Sequence, residues 1–124
     1  MVVAVADRYP IGVDLEIISE KAFRVLKSFG TSREQDLIAF SPLGRDRAAT
    51  LAWTAKEAAA KALGLDLIQA LREIEILEVG QEEGLIGYWG KTLPLWHCEG
   101  EGQILSLIVD TPSCQKGRRE PRKI

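Results

Sequence analysis

An alanine-rich segment from Arg45 to Leu63 constrains the fold of this 124-residue chain more than any other feature. Its residues have high helix propensity, and the next residue is Gly64, which readily adopts the left-handed conformation at which helices commonly end. When the segment is drawn as a helix, mostly small apolar side chains share one face: Ala48, Leu51, Ala55, Ala58, Ala59 and Ala62. Because small side chains allow close approach, the segment predicts a long helix packed directly on a sheet.

Two shorter helices are predicted ahead of this segment. Over residues 19–29 apolar side chains gather on one side, which is typical of an amphipathic helix. The other side carries basic side chains at three-residue steps: Lys21, Arg24 and Lys27. Thr31 and Glu34 then have the spacing of a capping box, in which each side chain accepts a hydrogen bond from the backbone N–H of the other residue. This pair predicts a second helix that continues to about Phe40.

Short apolar and β-branched runs on both sides of the helices predict strands. Residues 2–6 and 11–16 are separated by a polar turn that contains Pro10, which predicts a hairpin. Four further strands are predicted after the long helix: 73–79, 85–89, 93–98 and 104–110. Strands and helices do not alternate regularly, so we expect an α+β fold in which helices pack on one face of an antiparallel sheet.

The composition is typical of a soluble globular domain. Apolar residues make up 46% and charged residues 27% of the chain, which excludes a disordered or collagen-like protein. The net charge is −2, so the molecule as a whole has no field that attracts nucleic acid. The apolar start ends at Asp7, too early for a signal peptide or a membrane span. We therefore expect neither nucleic acid nor a membrane as a partner.

The chain divides into one domain, residues 1–111, and a basic tail, residues 112–124. The tail has two prolines, one glycine and five basic residues against one acid, which is typical of a disordered, solvated end. Its basic residues are Lys116, Arg118, Arg119, Arg122 and Lys123. Two cysteines, Cys98 and Cys114, are too few for a disulfide framework, so we expect a cytoplasmic location.

Charged side chains in two places are candidates for a metal and phosphate site. Asp14 and Glu16 share one face of a predicted strand, where a divalent cation such as Mg²⁺ would relieve their repulsion. Glu57 and Lys61 lie one turn apart on the long helix, with Trp53 one turn earlier. Each pair alone has an explanation without function, as a strand end in solvent or as a surface salt bridge. Together they predict three carboxylates on a metal with a lysine beside it.

Two segments resemble the two-part signature of the 4′-phosphopantetheinyl transferase superfamily. The first is Ile11–Glu16, with the sequence IGVDLE, and the second is Trp53–Gly64, with the sequence WTAKEAAAKALG. Glu57 follows Asp14 by 43 positions, and the resemblance covers roughly residues 1–110.

This resemblance implies a holo-acyl-carrier-protein synthase activity. Such an enzyme transfers the phosphopantetheine arm of coenzyme A to a serine of an apo acyl or peptidyl carrier protein and releases adenosine 3′,5′-bisphosphate. The carrier proteins belong to fatty acid, polyketide or nonribosomal peptide biosynthesis.

The resemblance also implies a role for each charged residue of the signature. Asp14 and Glu57 would hold Mg²⁺ on the pyrophosphate of coenzyme A, with Glu16 as a third acid that acts either on the metal or through water. Glu57 would also be the base for the serine hydroxyl, directly or through a water. Lys61 would stabilise or protonate the leaving group, and Lys56 would reach a phosphate of coenzyme A. Metal and ammonium groups held in place beforehand accelerate phosphoryl transfer, because they meet negative charge where it develops.

Two types within this superfamily differ in size and assembly. The chain has the length of the small holo-acyl-carrier-protein synthase type, a trimer with sites between its subunits. Its strand at residues 11–16 looks more like the C-terminal half of the larger surfactin-synthetase-activating type, in which the first half supplies contacts to the nucleotide. We therefore expect a homo-oligomer, or a separate partner that corresponds to that first half. The alternative function is a non-catalytic coenzyme A-binding or assembly half-subunit.

Three interpretations stay open beside these. The basic side chains Lys21, Arg24 and Lys27 are either a dock for an acidic helix of the carrier protein or a solvated helix face. His97 lies in a predicted strand with no serine beside it, and we interpret it as a structural or surface residue. A plain α+β domain, with a surface bridge between Glu57 and Lys61, would bind no coenzyme A.

Overall fold

The computed structural model describes residues 9–110, which form four helices and five strands. In chain order these are β1 (Ile11–Ile17), α1 (Lys21–Phe29), α2 (Ser32–Ala39), α3 (Arg45–Leu63), α4 (Leu67–Glu73), β2 (Glu75–Val79), β3 (Glu83–Tyr88), β4 (Lys91–Gly100) and β5 (Gln103–Val109). The strand predicted at residues 2–6 and the tail at residues 112–124 lie outside the described residues. Within residues 9–110, no helix is long and apolar enough to cross a membrane.

The five strands form one antiparallel sheet in the order β1-β5-β4-β3-β2. The last strand returns to pair with the first, so that Ile11 lies opposite Val109 and Asp14 lies opposite Ser106. The predicted α+β fold with an antiparallel sheet is therefore confirmed. Among the described residues, β1 and β2 are the edge strands of the sheet.

The helices cover one face of this sheet, and α3 forms the centre of the core. This helix packs on β1 and β5, and its predicted apolar face is buried: Ala48, Leu51, Ala55, Ala58, Ala59 and Ala62. Along β1, Gly12 and Asp14 are buried while their neighbours are more exposed, because alternate residues of a strand point to opposite faces. Asp14 therefore lies on the side of the sheet that α3 covers.

Gly12 allows an unusually close contact between β1 and α3. A side-chain carbon at this position would lie 1.7 Å from the carbonyl oxygen of Ala58, well inside contact distance. Only glycine leaves room for the helix backbone to lie against the strand backbone here. The contact brings the charged residues of β1 next to those of α3, since Ala58 directly follows Glu57.

The predicted helix ends are confirmed where side-chain chemistry determines them. Thr31 accepts a hydrogen bond from the Glu34 backbone N–H at 3.1 Å, and Glu34 accepts one from the Thr31 backbone N–H at 2.9 Å, which completes the capping box of α2. Gly64 has a φ of 71° at the end of α3, in the left-handed region that favours glycine.

Helix α4 was not expected from the sequence. Its first turn is capped by Asp66, whose side chain accepts a hydrogen bond from the Gln69 backbone N–H at 2.8 Å. The helix includes Glu73, which we had assigned to the strand that follows, so that strand begins only at Glu75. Its seven residues span about two turns, too few for a helical period to stand out from a strand pattern.

The face of the sheet away from the helices is apolar, and we call it the open sheet face. Residues opposite each other on antiparallel strands share a face, and Leu15 pairs with Leu105 while Leu107 pairs with both Val13 and Trp96. The described apolar members of this face are Ile11, Val13, Leu15, Ile17, Leu85, Pro94, Trp96, Leu105, Leu107 and Val109. Leu15, Ile17 and Trp96 are 40%, 68% and 41% exposed.

Candidate active site

Three carboxylates meet where β1 lies against α3, and we call them the acidic cluster. Asp14 and Glu16 come from β1, and Glu57 comes from α3. One oxygen atom from each carboxylate lies within 4.8 Å of the others. The three carboxylates meet because alternate side chains of β1 point toward α3 and because the absence of a side chain at Gly12 lets the two elements approach closely. The structure thus brings together the three residues that we predicted as metal ligands.

Asp14 is the most buried member of the acidic cluster. Its side chain is 8% exposed, and its Oδ2 atom is buried without a hydrogen-bond partner among the described residues. Burial raises the pKa of Asp14 above its usual value, although the contact with Lys61 acts in the opposite direction. A buried carboxylate oxygen without a partner is uncommon in folded proteins and leaves room for a ligand that the chain itself does not supply.

Glu57 is partly buried, and two other acids, Asp14 and Glu16, lie near its carboxylate. Burial, followed by the charges of Asp14 and then Glu16, raises the pKa of Glu57 to about 7. A hydrogen bond with the Trp53 side chain lowers the pKa, but less than the other effects raise it. The side chain is therefore a carboxyl group that exchanges its proton near neutral pH, which is the range in which a general base is effective.

Lys61 holds its ammonium group at the edge of the acidic cluster. Its Nζ atom donates to the Val13 carbonyl oxygen at 2.9 Å and to Asp14 Oδ1 at 3.3 Å. The side chain is 56% exposed, so this ammonium also faces solvent. It lies four residues after Glu57 on the same side of α3. The arrangement places one positive charge next to three negative ones.

The donor set fits a hard divalent cation such as Mg²⁺. Mg²⁺ prefers oxygen ligands and is commonly bound through carboxylates together with the phosphates of a substrate. Asp14 Oδ2 has no hydrogen-bond partner among the described residues, and the pKa values of Asp14 and Glu57 are raised because their negative charges are poorly compensated. A bound cation would compensate these charges. The residues present therefore suit the metal that their sequence pattern predicts.

A small cleft of about 80 Å³ opens beside the acidic cluster and shares Glu16 with it. Its walls come from the end of β1, from α1 and from α3: Glu16, Ile17, Ser19, Lys21, Ala22, Val25, Thr50 and Trp53. Lys21 is thus the member of the basic stripe that lines the cleft. Arg24 and Lys27 are exposed on the same helix, with Arg24 3.6 Å from Glu20 and Lys27 over the ring of Phe23.

Lys56 does not join the acidic cluster: the structure gives its side chain interior partners, whereas the sequence predicts a contact with a phosphate of coenzyme A. The side chain is 1% exposed, and its Nζ atom donates to Glu34 Oε1 at 3.1 Å and to the Leu71 carbonyl oxygen at 3.0 Å. Lys56 thus points into the protein and not toward the cleft. Residues that are adjacent on a helix point in directions about 100° apart, so the side chains of Lys56 and Glu57 lie on different sides of α3.

Two buried interactions were missed at the sequence level. Glu34 was recognised only as a helix cap, but the same carboxylate also pairs with Lys56 and accepts from the Ile76 backbone N–H at 2.7 Å. Thr54 and Ser106 form a buried hydroxyl pair at 2.6 Å between α3 and β5. Neither contact has a sequence signal, because partners 22 to 52 residues apart meet only after folding. His97 donates to the Gly80 carbonyl oxygen at 2.9 Å.

Comparisons with known proteins agree with this site. The family model of the 4′-phosphopantetheinyl transferase superfamily matches residues 10–108, well over half of the chain. The matched segment contains the whole acidic cluster and Lys61. Among curated proteins, no relative matches the chain. Members of the superfamily generally use coenzyme A and Mg²⁺ and act on carrier proteins. The chain therefore belongs to the 4′-phosphopantetheinyl transferase superfamily, whose domain carries out phosphopantetheine transfer.

Proposed function

We propose that this protein transfers 4′-phosphopantetheine from coenzyme A to a serine of an apo acyl or peptidyl carrier protein, in a reaction that depends on Mg²⁺. The observation that carries the proposal is the acidic cluster with its unpartnered Asp14 Oδ2 beside Lys61, in a chain of this superfamily. The catalytic unit would be the domain at residues 1–111. A cytoplasmic location fits the free thiol of the exposed Cys98.

In this proposal the acidic cluster binds the metal. Asp14, Glu16 and Glu57 would hold Mg²⁺, which when bound would neutralise charge on the pyrophosphate of coenzyme A. The pair on β1 and the single acid on α3 are held in place by the sheet and by the buried face of the helix. Ligands on such rigid elements need little reorganisation when substrate arrives.

Glu57 is the proposed general base for the serine hydroxyl. A carboxylate has two oxygen atoms, so Glu57 could offer one to the metal and use the other, directly or through a water, to accept the serine proton. In a balanced step, the serine oxygen forms a bond to the β-phosphorus of coenzyme A while the serine proton passes to Glu57, and the bond to the bisphosphate leaving group breaks.

Lys61 is the proposed partner of the leaving group. Its ammonium lies next to Asp14 and is largely exposed, so it can contact a phosphate without burial of an unpaired charge. A positive charge at this place stabilises the negative charge that develops on the departing phosphate oxygen. Coenzyme A binding would therefore involve Lys61, whereas Lys56 has its interior partners.

The basic stripe on α1 is the proposed dock for the carrier protein. Lys21, Arg24 and Lys27 are exposed, and Lys21 lines the cleft that shares Glu16 with the acidic cluster. An acidic helix of the carrier protein placed on α1 would bring its serine toward the same cleft. Charges of this kind chiefly raise the association rate and the specificity of binding.

We propose that the protein works as a homo-oligomer. The open sheet face exposes a continuous apolar surface that the four helices do not cover, and surfaces of this kind mark protein interfaces. A second copy of the chain is the proposed occupant. A separate partner chain that covers this face is the alternative occupant, and the mass of the purified protein in solution distinguishes the two.

Mass spectrometry of an apo carrier protein tests the proposed activity. The carrier would be incubated with this protein, coenzyme A and Mg²⁺, and its intact mass would be measured. We expect a gain of one phosphopantetheine that disappears with a metal chelator and with Glu57→Gln. Lys56→Gln is not a useful control, because it removes a buried charge. Arg47→Gln serves instead, since Arg47 is exposed, lies on the same helix and belongs neither to the acidic cluster nor to the proposed dock, and it should leave transfer unchanged.

Two negative results have different meanings. Coenzyme A binding without any mass gain would contradict the transferase proposal and favour a non-catalytic coenzyme A-binding or assembly subunit. A mass gain that persists in Glu57→Gln would contradict the role of Glu57 as the base.

A further inference from the structure

The most deeply buried ion pair among the described residues lies next to the acidic cluster but is not part of it. The side chains of Lys56 and Glu34 are 1% and 2% exposed, and Lys56 Nζ is 3.1 Å from each oxygen of the Glu34 carboxylate. The other pairs of the described residues lie nearer the surface, and each has a side chain that is at least 16% exposed.

This ion pair connects α3 to three other elements. Lys56 also donates to the Leu71 carbonyl oxygen of α4 at 3.0 Å. Glu34, at the start of α2, accepts from the Thr31 backbone N–H at 2.9 Å and from the Ile76 backbone N–H of β2 at 2.7 Å. Both carboxylate oxygens and the ammonium are therefore held by directional bonds from groups that are themselves fixed in helices or strands.

Stability alone does not explain a pair of this kind. Two buried charges lose their hydration, and their attraction often only balances that loss, so apolar side chains of similar size commonly stabilise a core as well or better. Directional bonds do provide something that apolar packing does not, because they hold a helix at one rotation and one depth. Lys56 directly precedes Glu57 in the chain, so the rotation that these bonds fix also determines where the Glu57 carboxylate lies.

Glu57 stands between two residues that anchor α3 on different sides. Lys56, directly before it, is bonded to α2 and α4, while Ala58, directly after it, lies against Gly12 of β1. Lys56 and Ala58 point in directions about 200° apart around the helix axis. Contacts on two opposite sides prevent rotation of the helix, and the residue whose direction they determine is Glu57.

We propose that the ion pair of Glu34 and Lys56 is a positioning device for the metal site: it holds α3 at the rotation that places the Glu57 carboxylate beside Asp14 and Glu16. The inference rests on one part of the proposed function, the role of Glu57 as a metal ligand, and not on the transfer reaction itself. Lys56 and Glu34 are thus positioning residues that touch neither coenzyme A nor the carrier protein. Supporting groups of this kind commonly change metal affinity by about 10-fold to 100-fold when they are removed.

The test measures metal binding apart from catalysis. Mn²⁺ would be the probe, its free-ion paramagnetic resonance signal reporting binding, with Mg²⁺ as the competitor. The main variant is the double substitution Glu34→Gln with Lys56→Met, which removes both charges and leaves no buried charge unpaired. We expect a cooperative thermal transition close to that of the wild type together with Mn²⁺ binding weakened about 10-fold.

Arg47→Gln is the matched control. Arg47 is also on α3 and its ion pair also connects that helix to another element, since its Nε atom is 3.0 Å from Glu99 Oε1 on β4. This pair is exposed and lies more than two turns away from Glu57 along the helix. We expect Arg47→Gln to bind Mn²⁺ as the wild type does.

A folded double variant with wild-type Mn²⁺ affinity would overturn the inference. If the double variant does not fold, Glu34→Asp repeats the test, because it keeps both charges and only shortens the carboxylate side chain by one carbon; a smaller loss of Mn²⁺ affinity is expected, and an unchanged affinity is again decisive against the inference. Weaker coenzyme A binding with unchanged Mn²⁺ binding would also overturn it, since Lys56 would then act as a phosphate ligand. Mn²⁺ binding by a wild-type protein that modifies no carrier would instead reject the proposed function and leave the inference standing.

Discussion

The three acids of the cluster are held together by the fold and not by attraction between them. Asp14 and Glu57 both have raised pKa values, because burial and neighbouring acids make their negative charges unfavourable in the folded state. The ammonium of Lys61 opposes this effect at Asp14 but does not reverse it. Functional sites commonly have such a cost in stability, which binding of the proper ligand removes.

The pH dependence of stability follows from the raised pKa of Glu57. Its pKa is about 7 in the folded protein and 4.5 in the unfolded chain, so between these values the folded protein binds the extra proton. Stability without metal should therefore fall as the pH rises from about 4.5 to about 7. The shift corresponds to about 3 kcal/mol at most, which partial exposure reduces to roughly 1–2 kcal/mol. Urea unfolding in the presence of a chelator, repeated across this range, measures the fall.

Glu57→Gln should remove most of that fall. The variant should match the wild type at about pH 3.5, below both pKa values, where Glu57 is protonated in the folded and the unfolded state, and should be the more stable of the two at pH 8. Glu82→Gln, which replaces an exposed glutamate far from the cluster, serves as the control and should follow the wild type. Parallel curves for Glu57→Gln and the wild type would contradict the assigned environment of Glu57.

At the scale of secondary structure, the contact between β1 and α3 determines whether the cluster forms. The two elements approach closely because Gly12 has no side chain and because α3 presents alanines to the sheet. The strand supplies two acids and the helix supplies the third with its lysine. A small separation of these elements would move the carboxylates apart without change to any of them.

Gly12→Ala tests this contact. The added carbon would lie 1.7 Å from the Ala58 carbonyl oxygen, so β1 and α3 must separate, and we expect a loss of about 2–3 kcal/mol in the free energy of unfolding. Urea unfolding measures this loss. Metal binding should weaken in the folded fraction as well. Gly100→Ala is the control, because no atom lies within 4 Å of the added carbon there, and equal stability losses in the two variants would contradict this explanation.

The sequence predicted those elements whose signals lie within one segment. Helix α3, its end at Gly64 and the capping box at Thr31 each depend on neighbouring residues, and the structure confirms them. The meeting of Asp14, Glu16 and Glu57 was predicted from strand and helix spacing and from the resemblance. Helix α4 is too short to show a period, and the direction of Lys56 depends on Glu34, a partner whose approach only the folded chain determines.

At the scale of the whole molecule, the two faces of the sheet differ in whether helices cover them. One face packs on four helices and forms the core, in which Ile86, Leu93 and Ile108 are fully buried. The open sheet face, on the other side, is nearly as apolar, and its members are not packed against that core. Isolated apolar residues are ordinary on protein surfaces, but a continuous face across four strands is not.

Trp96→Lys tests the proposed oligomer. Trp96 is 41% exposed on β4, in the middle of the open sheet face and opposite Leu107. We expect the wild-type protein to have at least twice the chain mass of 13.7 kDa by light scattering after size exclusion. Trp96→Lys should have the mass of one chain at the same concentration, because a lysine charge buried in an apolar interface is costly.

Phe40→Lys is the matched control for this substitution. Phe40 is 83% exposed but follows α2, on the helical side of the molecule, so its replacement should leave the assembly intact. A wild-type protein with the mass of a single chain would contradict the homo-oligomer and leave a separate partner as the occupant of the open sheet face. An assembly that Phe40→Lys disrupts and Trp96→Lys does not would place the interface on the helical side instead.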